Sequence, residues 1–442
     1  MSSQRLRGGL LLAVCLLPVF LSANFVWRFG VDVPFWDEWE LVPLLRALHD
    51  GQLSFAALVA QHNEHRLLFP RVVMLALAVL TRWDARAEMW FGWVLLCGMG
   101  LVLFFQHGRA LGAGARSAWL FAPVPWLVFT LRQSENLIWG WQLQIFMAAL
   151  AMLFSMAALE HERWGWFLVA ICTAVVSSFS FAAGLATWPA GLLVIGLAGL
   201  RSRPQRVRLG AWAIGGLIVV ALYLHDFQRP AHHPDPAFAA RHLAQASEFF
   251  IAMLGASLAG QDVMLALAIG LLLVAIFVLV IRAVPLRLAD LSRLRFGLAL
   301  GLFAACTCAM VTVGRVGFDE GPEGIGLAIT SRYTTFTMLG VCGAYLCVLA
   351  IRPSALRSGL LGALLVLLMI GTTVSLGTEF RSGARTRRTR LAGLQALLHY
   401  READPAELMK LYPDAALVRA RAAEIEALQT SVFRASARAP RH

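Results

Sequence analysis

The sequence predicts an all-α polytopic membrane protein of about eleven transmembrane helices, with interfacial helices in the first outer loop and a small helical extra-membrane C-terminal tail. Three observations predict it. The 442 residues are 59% hydrophobic and only 14% charged, with mean hydropathy +0.69; a soluble domain could not hide so much apolar surface. Apolar runs recur along the chain at 10–26, 67–80, 88–106, 117–131, 138–158, 164–182, 184–200, 211–225, 263–281, 296–313, 332–350 and 358–376. Arginines gather in alternate connections between those runs, as short cytoplasmic loops require.

The first run, Leu10 to Val26, follows Arg5 and Arg7, which keeps the N-terminus cytoplasmic. Asn24, Phe25 and Trp27 make a poor cleavage site, so the segment reads as an uncleaved signal anchor. If every run crossed, the loop Arg201-Ser-Arg-Pro-Gln-Arg-Val-Arg208 would land outside, against the positive-inside rule. Treating 67–80 as an interfacial helix repairs the register. It is short, with Arg66, Arg71 and Arg82 in or beside it.

Arg109 and Arg116, Arg163, Arg201 to Arg208, Arg282 to Arg295, and Arg352 with Arg357 then become cytoplasmic. The outer face receives 27–87, 132–137, 226–262, 314–331 and the tail from 377. Of the carboxylates, only Glu160, Glu162 and Asp290 remain inside. Acidic residues barely influence insertion, so their asymmetry is independent of the assignment and points to chemistry outside.

The chain divides into a transmembrane domain, 1–376, whose first outer loop is 27–87, and an outer helical cap, 377–442. Within the cap, Arg390 to Tyr400, Pro405 to Leu411 and Asp414 to Val432 read as short amphipathic helices. The net charge of +12 is arginine charge, Lys410 being the only lysine, and it suits an anionic membrane surface with no nucleic-acid partner. All seven cysteines fall in apolar runs and read as small buried hydrophobes.

Five polar constellations belong to the outer face. Pro34-Phe-Trp-Asp-Glu-Trp-Glu40 places Asp37 and Glu38 together between Trp36 and Trp39. Adjacent carboxylates raise each other's pKa, which suits a general base or a metal ligand; a solvated loop is the alternative. Gln61-His-Asn-Glu-His-Arg66 opens the interfacial helix, and as a helix it sets His62, His65 and Arg66 within one turn, with Glu64 pointing elsewhere. It could hold a phosphate or part of a metal site, or serve as a polar cap with Asn63 as N-cap.

Arg132-Gln-Ser-Glu-Asn-Leu-Ile-Trp-Gly-Trp-Gln142 combines Arg132, Glu135, Asn136 and Gln142 with Trp139 and Trp141. That set suits a sugar site, and the indoles alone would suit interfacial anchors. Ser177 to Pro189 is a Gly- and Ser-rich break, read as close helix packing. Gly314 to Gly326, leading to Ser331-Arg-Tyr-Thr334, is bracketed by Arg315 and Arg332. Arginine at that depth needs an anion, either a lipid phosphate or a local partner such as Asp319 or Glu320. No Walker loop, dinucleotide glycine motif, HExxH or nucleophile elbow is present. An outward-facing enzyme without a nucleotide site would take its donor from the lipid.

This layout resembles the GT-C-type glycosyltransferases, the superfamily of protein O-mannosyltransferases and lipid A aminoarabinose transferases. The likeness lies in the signal-anchor span, the long first outer loop with Asp37-Glu38 near its start, the interfacial helices, the further spans and the outer C-terminal domain. His62 to Arg66 stands where many of those enzymes carry a His/Lys-Pro-Pro element, without the prolines. The chain also resembles a group of bacterial membrane proteins with a comparable His-Asn-Glu-His-Arg stretch and Ser-Arg-Tyr segment.

The resemblance implies a bacterial inner-membrane enzyme that works at its periplasmic face. It would move a sugar from a polyprenyl-phosphate donor to a glycan, lipid or protein acceptor, with inversion. Asp37 would be the general base and Glu38 would orient the acceptor or a divalent cation; no other cofactor is implied. His65, Arg66, Arg315 and Arg332 would bind the donor phosphate. Trp36, Trp39, Trp139 and Trp141 would stack on sugar, with Asn63, Glu64, Arg132, Glu135, Asn136 and Gln142 as its polar partners.

Two rival classes fit the same residues. A polysaccharide polymerase or ligase would use the same face with an oligosaccharide-lipid donor. A lipid-sugar flippase or transporter would need polar residues through the membrane, and mid-span charges are almost absent.

Overall fold

The structure, a computed structural model, describes residues 3–112, 114–230, 233–284, 291–318, 322–352 and 354–434. Among them the protein is an all-α membrane protein whose only strands form one two-residue hairpin, Gln61–His62 with His65–Arg66. Eight helices are long and apolar enough to cross a bilayer: Arg5–Phe29, Ala85–Leu111, Gly140–Leu159, Arg203–Leu224, Val263–Ala283, Arg295–Arg315, Ser331–Ala350 and Ala355–Leu398. Shorter apolar helices are Leu68–Thr81, Trp164–Ser178, Ala182–Leu197 and Leu243–Gly255. The run at 117–131 is split into Ala115–Phe121 and Pro123–Val128, because Pro123 and Pro125 have no N–H to carry a helix through.

Leu243–Gly255 lies inside the stretch expected to be an outer loop. At 13 residues it is too short to register as a span, yet its Phe249, Ala252 and Met253 face the core at helical spacing. It lies against Val263–Ala283 so closely that a Cβ on Gly255 would sit 2.0 Å from the Ala266 carbonyl oxygen, and one on Gly270 1.9 Å from that of Ile251. Small residues at these crossings let backbones touch where lipid offers no hydrophobic drive.

Helix polarity sorts the charges into two ends. At one end Glu160 meets Arg295 at 3.2 Å and Arg109 at 4.0 Å, and Arg208 donates to the His161 carbonyl at 2.9 Å. Helices 85–111 and 143–159 therefore finish where 203–224 and 295–315 begin. The opposite end carries the first loop, the hairpin and the C-terminal segment. There Val31, Val33, Trp39 and Leu41 share a second core with Leu397, Tyr400, Leu408, Leu411, Val418 and Phe433.

The expected domain boundary at 376/377 marks a change of composition with no break in the backbone. Ala355–Leu398 is one helix of 44 residues, about 66 Å long at 1.5 Å per residue, and it carries the chain from the apolar bundle into the cap. Of the three expected tail helices, the first is the end of this long helix, and the others appear as Pro405–Leu408 and Ala415–Ala427. The cap is composite, since the Trp36 N–H donates to the Leu411 carbonyl at 2.8 Å and Arg434 pairs with Asp32.

Candidate functional site

The segment His62 to Arg66 turns back on itself instead of opening a helix. Gln61 pairs with Arg66 and His62 with His65, and Asn63 takes a left-handed φ of +48°, which asparagine tolerates better than most residues. The following helix starts only at Leu68. The hairpin is pinned to the end of helix 203–224. Tyr223 donates its hydroxyl to the Glu64 carbonyl at 2.9 Å, and the Gln61 side chain accepts from the Gln228 N–H at 3.0 Å. Arg66 donates to the carbonyls of Tyr223 (2.7 Å), Val59 (3.3 Å) and His225. Its guanidinium is a clamp on main chain, which corrects the expectation that it holds a phosphate.

Beneath the hairpin lies a cavity of about 230 Å³. Phe181, Leu185, Leu224, Phe227, Met310 and Val311 give it apolar walls, and Glu64, His65, His233, Arg315 and Tyr333 line it with polar groups. Arg315 donates to Glu64 Oε1, to the Tyr333 hydroxyl at 3.2 Å, and lies 3.0 Å from His233 Nδ1. His233 Nδ1 is also 3.6 Å from Glu64 Oε2. His65 stacks on Phe181 with ring centroids 4.0 Å apart and accepts from the Ala182 N–H at Nδ1. Burial pushes its imidazole down to about 4, so it is neutral at pH 7. With Nδ1 accepting, the ring proton is assigned to Nε2, which faces Glu64 Oε1 at 3.6 Å.

Asp37 joins this group. Its carboxylate lies 3.8 Å from His62 Nε2, and its side chain is 28% exposed, on the open side of the loop. His62 pairs across the hairpin with His65, so Asp37 and the cavity rim converge. Arg332 extends the rim: 4.0 Å from Glu135, it feels the charges of Asp37 and Glu64 as well.

Glu38 turns the other way. It is 1% exposed and accepts from the Phe35 N–H at 2.8 Å and the Trp141 N–H at 3.2 Å. Its neighbour is Glu88, which accepts from Trp83 Nε1 at 3.1 Å, and Gly140 is wedged against both carboxyls. A Cβ on Gly140 would sit 2.6 Å from Glu88 Oε2 and 2.8 Å from Glu38 Oε1. Burial pushes Glu38 up to about 7, although Arg390 and the two N–H donors favour its charged form. A sealed carboxyl spent on main-chain donors positions the loop; it reaches neither an acceptor nor a cation, which corrects its expected role. Among the described residues no group of three or more His, Cys, Asp or Glu side chains is arranged to hold a metal ion.

Several expected sugar partners belong to the packing. Trp39, Trp139 and Trp141 are at most 3% exposed, as are Asn136 and Gln142. Trp139 Nε1 donates to the Phe35 carbonyl at 3.1 Å, and Asn136 Nδ2 to Thr335 Oγ1 at 2.9 Å. Arg132 is fully buried; it meets Glu379 at 3.4 Å and donates to the Ile329 carbonyl. Of the four indoles only Trp36, 44% exposed, offers a free face. Asp319 and Glu320, the expected partners of the loop arginines, lie outside the described residues.

Tyr223 completes the site without any mark in the sequence, and Phe181 and Tyr333 enter it from the segments Ser177 to Pro189, expected only to pack, and Ser331 to Thr334. Fold and site together define an all-α membrane protein with an apolar cavity capped by ionisable groups. No family model matches the chain, and no curated protein matches it.

Proposed function

We propose that this protein is a glycosyltransferase that moves a sugar from a polyprenyl-phosphate donor to an acceptor at the periplasmic face of a bacterial inner membrane. The observation that carries the reading is the cavity, with spanning-helix residues as apolar walls, Arg315 and His65 at its polar rim, and Asp37 3.8 Å from His62, the hairpin partner of His65. An apolar pocket at that level takes a lipid chain, and a guanidinium at its mouth takes the phosphate on that chain.

In this reading the acceptor oxygen attacks the anomeric carbon and its proton passes to Asp37. The bond from that carbon to the phosphate oxygen breaks, and its electron pair leaves with the phosphate. Arg315 and Arg332 stabilise the growing charge, and Trp36 lies open to the sugar or acceptor. In this reading the chain crosses about eleven times with Leu68–Thr81 in the interface, and the positive-inside rule would then put the arginine-rich end in the cytoplasm and Asp37 outside.

The test uses purified protein in nanodiscs with a panel of polyprenyl-phosphate sugars and envelope acceptors, scoring released polyprenyl phosphate by mass spectrometry. Wild type turns over, and Asp37→Asn loses about 10²–10⁴ in rate without losing its fold. Equal release by both proteins, or release by neither, sinks the reading.

A further inference from the structure

Glu64 occupies an unusual place for a carboxylate. It projects from the tip of the hairpin, beside the left-handed Asn63, into the polar mouth of a cavity whose walls are apolar. One of its oxygens takes the Arg315 guanidinium. The other lies 3.6 Å from His233 and makes no hydrogen bond among the described residues.

The Arg132–Glu379 pair shows the contrast. Arg132 and Glu379 are both sealed, and Ser134 donates to the second oxygen of Glu379 at 2.6 Å. Glu64 is 27% exposed, sits on a turn and has its short contact, to Arg315, through one oxygen, with His65 and His233 each 3.6 Å away.

We infer that Glu64 is an internal substitute for a lipid phosphate: it neutralises Arg315 until a phosphate-bearing lipid arrives, gives way to it, and later helps to expel the product. The inference rests on the reading of the site as a polyprenyl-phosphate sugar transferase, and it names the anion exchange by which that site loads and empties. Two anions within about 4 Å of each other repel, so Glu64 and a phosphate compete for one guanidinium.

The reaction makes the competition matter. The donor phosphodiester carries one negative charge, and the leaving monoester carries nearly two near pH 7. Without a rival anion, Arg315 would hold the product more tightly than the donor. A tethered carboxylate beside it lowers the affinity for both and shortens the stay of the product.

The experiment titrates farnesyl phosphate, farnesol and inorganic phosphate into detergent-solubilised wild type, Glu64→Gln and Arg315→Gln, reading affinity by calorimetry and Tm with and without each compound. Glu64→Gln is expected to melt lower than wild type on its own, because Arg315 loses its counter-charge. It should nevertheless bind farnesyl phosphate about tenfold more tightly or better, with the larger ligand-induced rise in Tm. Farnesol should give no such difference, and Arg315→Gln should lose the response.

A merely structural Glu64 would lower Tm and leave the affinity equal or weaker; that result overturns the exchange and leaves the transferase reading standing. Binding of farnesyl phosphate by none of the proteins removes the phosphate seat itself, and turnover of the Asp37 pair then decides the activity separately. Should Arg315→Gln fail to fold, wild type against Glu64→Gln decides the question alone.

Discussion

Asp37 and Glu38 are neighbours in sequence and belong to different worlds. Asp37 faces His62 and the rim of the cavity, where Glu64, His65, Arg315 and Arg332 collect and side chains remain partly exposed. Glu38 faces inward to Glu88, Gly140 and the Trp141 N–H, in a cluster with almost no exposure. The short 3₁₀ helix Trp36–Leu41 does the sorting, because three residues per turn swing successive side chains apart by about 120°. The sealed cluster fixes the loops, while the open cluster has room for a ligand. A carboxyl sealed on main-chain donors, as Glu38 is, marks scaffolding, and a charged rim on an apolar cavity marks a place for a ligand.

The largest effect that would break this contrast lies at Arg132. Arg132→Met leaves the Glu379 charge buried without its partner, which costs about 3–5 kcal/mol. Arg332→Gln, on the half-exposed side of the rim, should stay within about 0.5 kcal/mol of wild type and lose turnover. Denaturant unfolding in detergent, paired with the transfer assay, measures both. Equal losses of stability at the two positions would erase the distinction between scaffold and rim.

A smaller effect belongs to Gly140. Gly140→Ala drives a methyl against the Glu38 and Glu88 carboxyls, and overpacking of this kind costs about 1–3 kcal/mol. The substitution leaves the Asp37 side of the loop untouched. Its thermal unfolding temperature should fall while residual activity per folded molecule stays near wild type. Full stability in Gly140→Ala would mean that the two carboxyls separate freely and that the cluster is not tightly sealed.

How much of this was legible in the sequence follows from distance along the chain. Apolar length and arginine placement are local, and they led to the membrane class, the short helix at 68–81 and the charge-sorted ends. The acidic pair and the His62–Arg66 segment were also visible, but which way each side chain points was not. Asp37 and Glu38 differ by one step of a 3₁₀ turn, and the hairpin depends on one left-handed residue, Asn63. The anion at Arg315 comes from Glu64, 251 positions away. No spacing rule reaches that far, so nearby Asp319 and Glu320 were the natural expectation. The indoles at 139 and 141 show the same limit. Their type fits sugar stacking, membrane anchoring and core packing alike, and only their burial under the composite cap decides.

The smallest expected effect is a pH dependence in which the two clusters pull in opposite directions. Glu38 sits at about 7 in the folded protein against an ordinary 4.5, so the folded state keeps a proton that the unfolded chain has released. Its contribution to stability is full below pH 4.5 and is lost as pH rises towards 7. His65 sits at about 4 against 6.5, so the unfolded chain takes up a proton that the folded state refuses. Its contribution is full above pH 6.5 and is lost as pH falls towards 4. Between pH 4.5 and 6.5 the two slopes oppose each other in the wild type. Glu38→Gln keeps the side chain uncharged and the Phe35 and Trp141 N–H groups partnered, and it removes one slope. Its stability relative to wild type should therefore rise across that window. Unfolding of both proteins at half-unit pH steps reads the difference directly. A difference that stays level would mean that Glu38 is already ionised inside the fold, and that its cluster is open to water in the way the Asp37 side is.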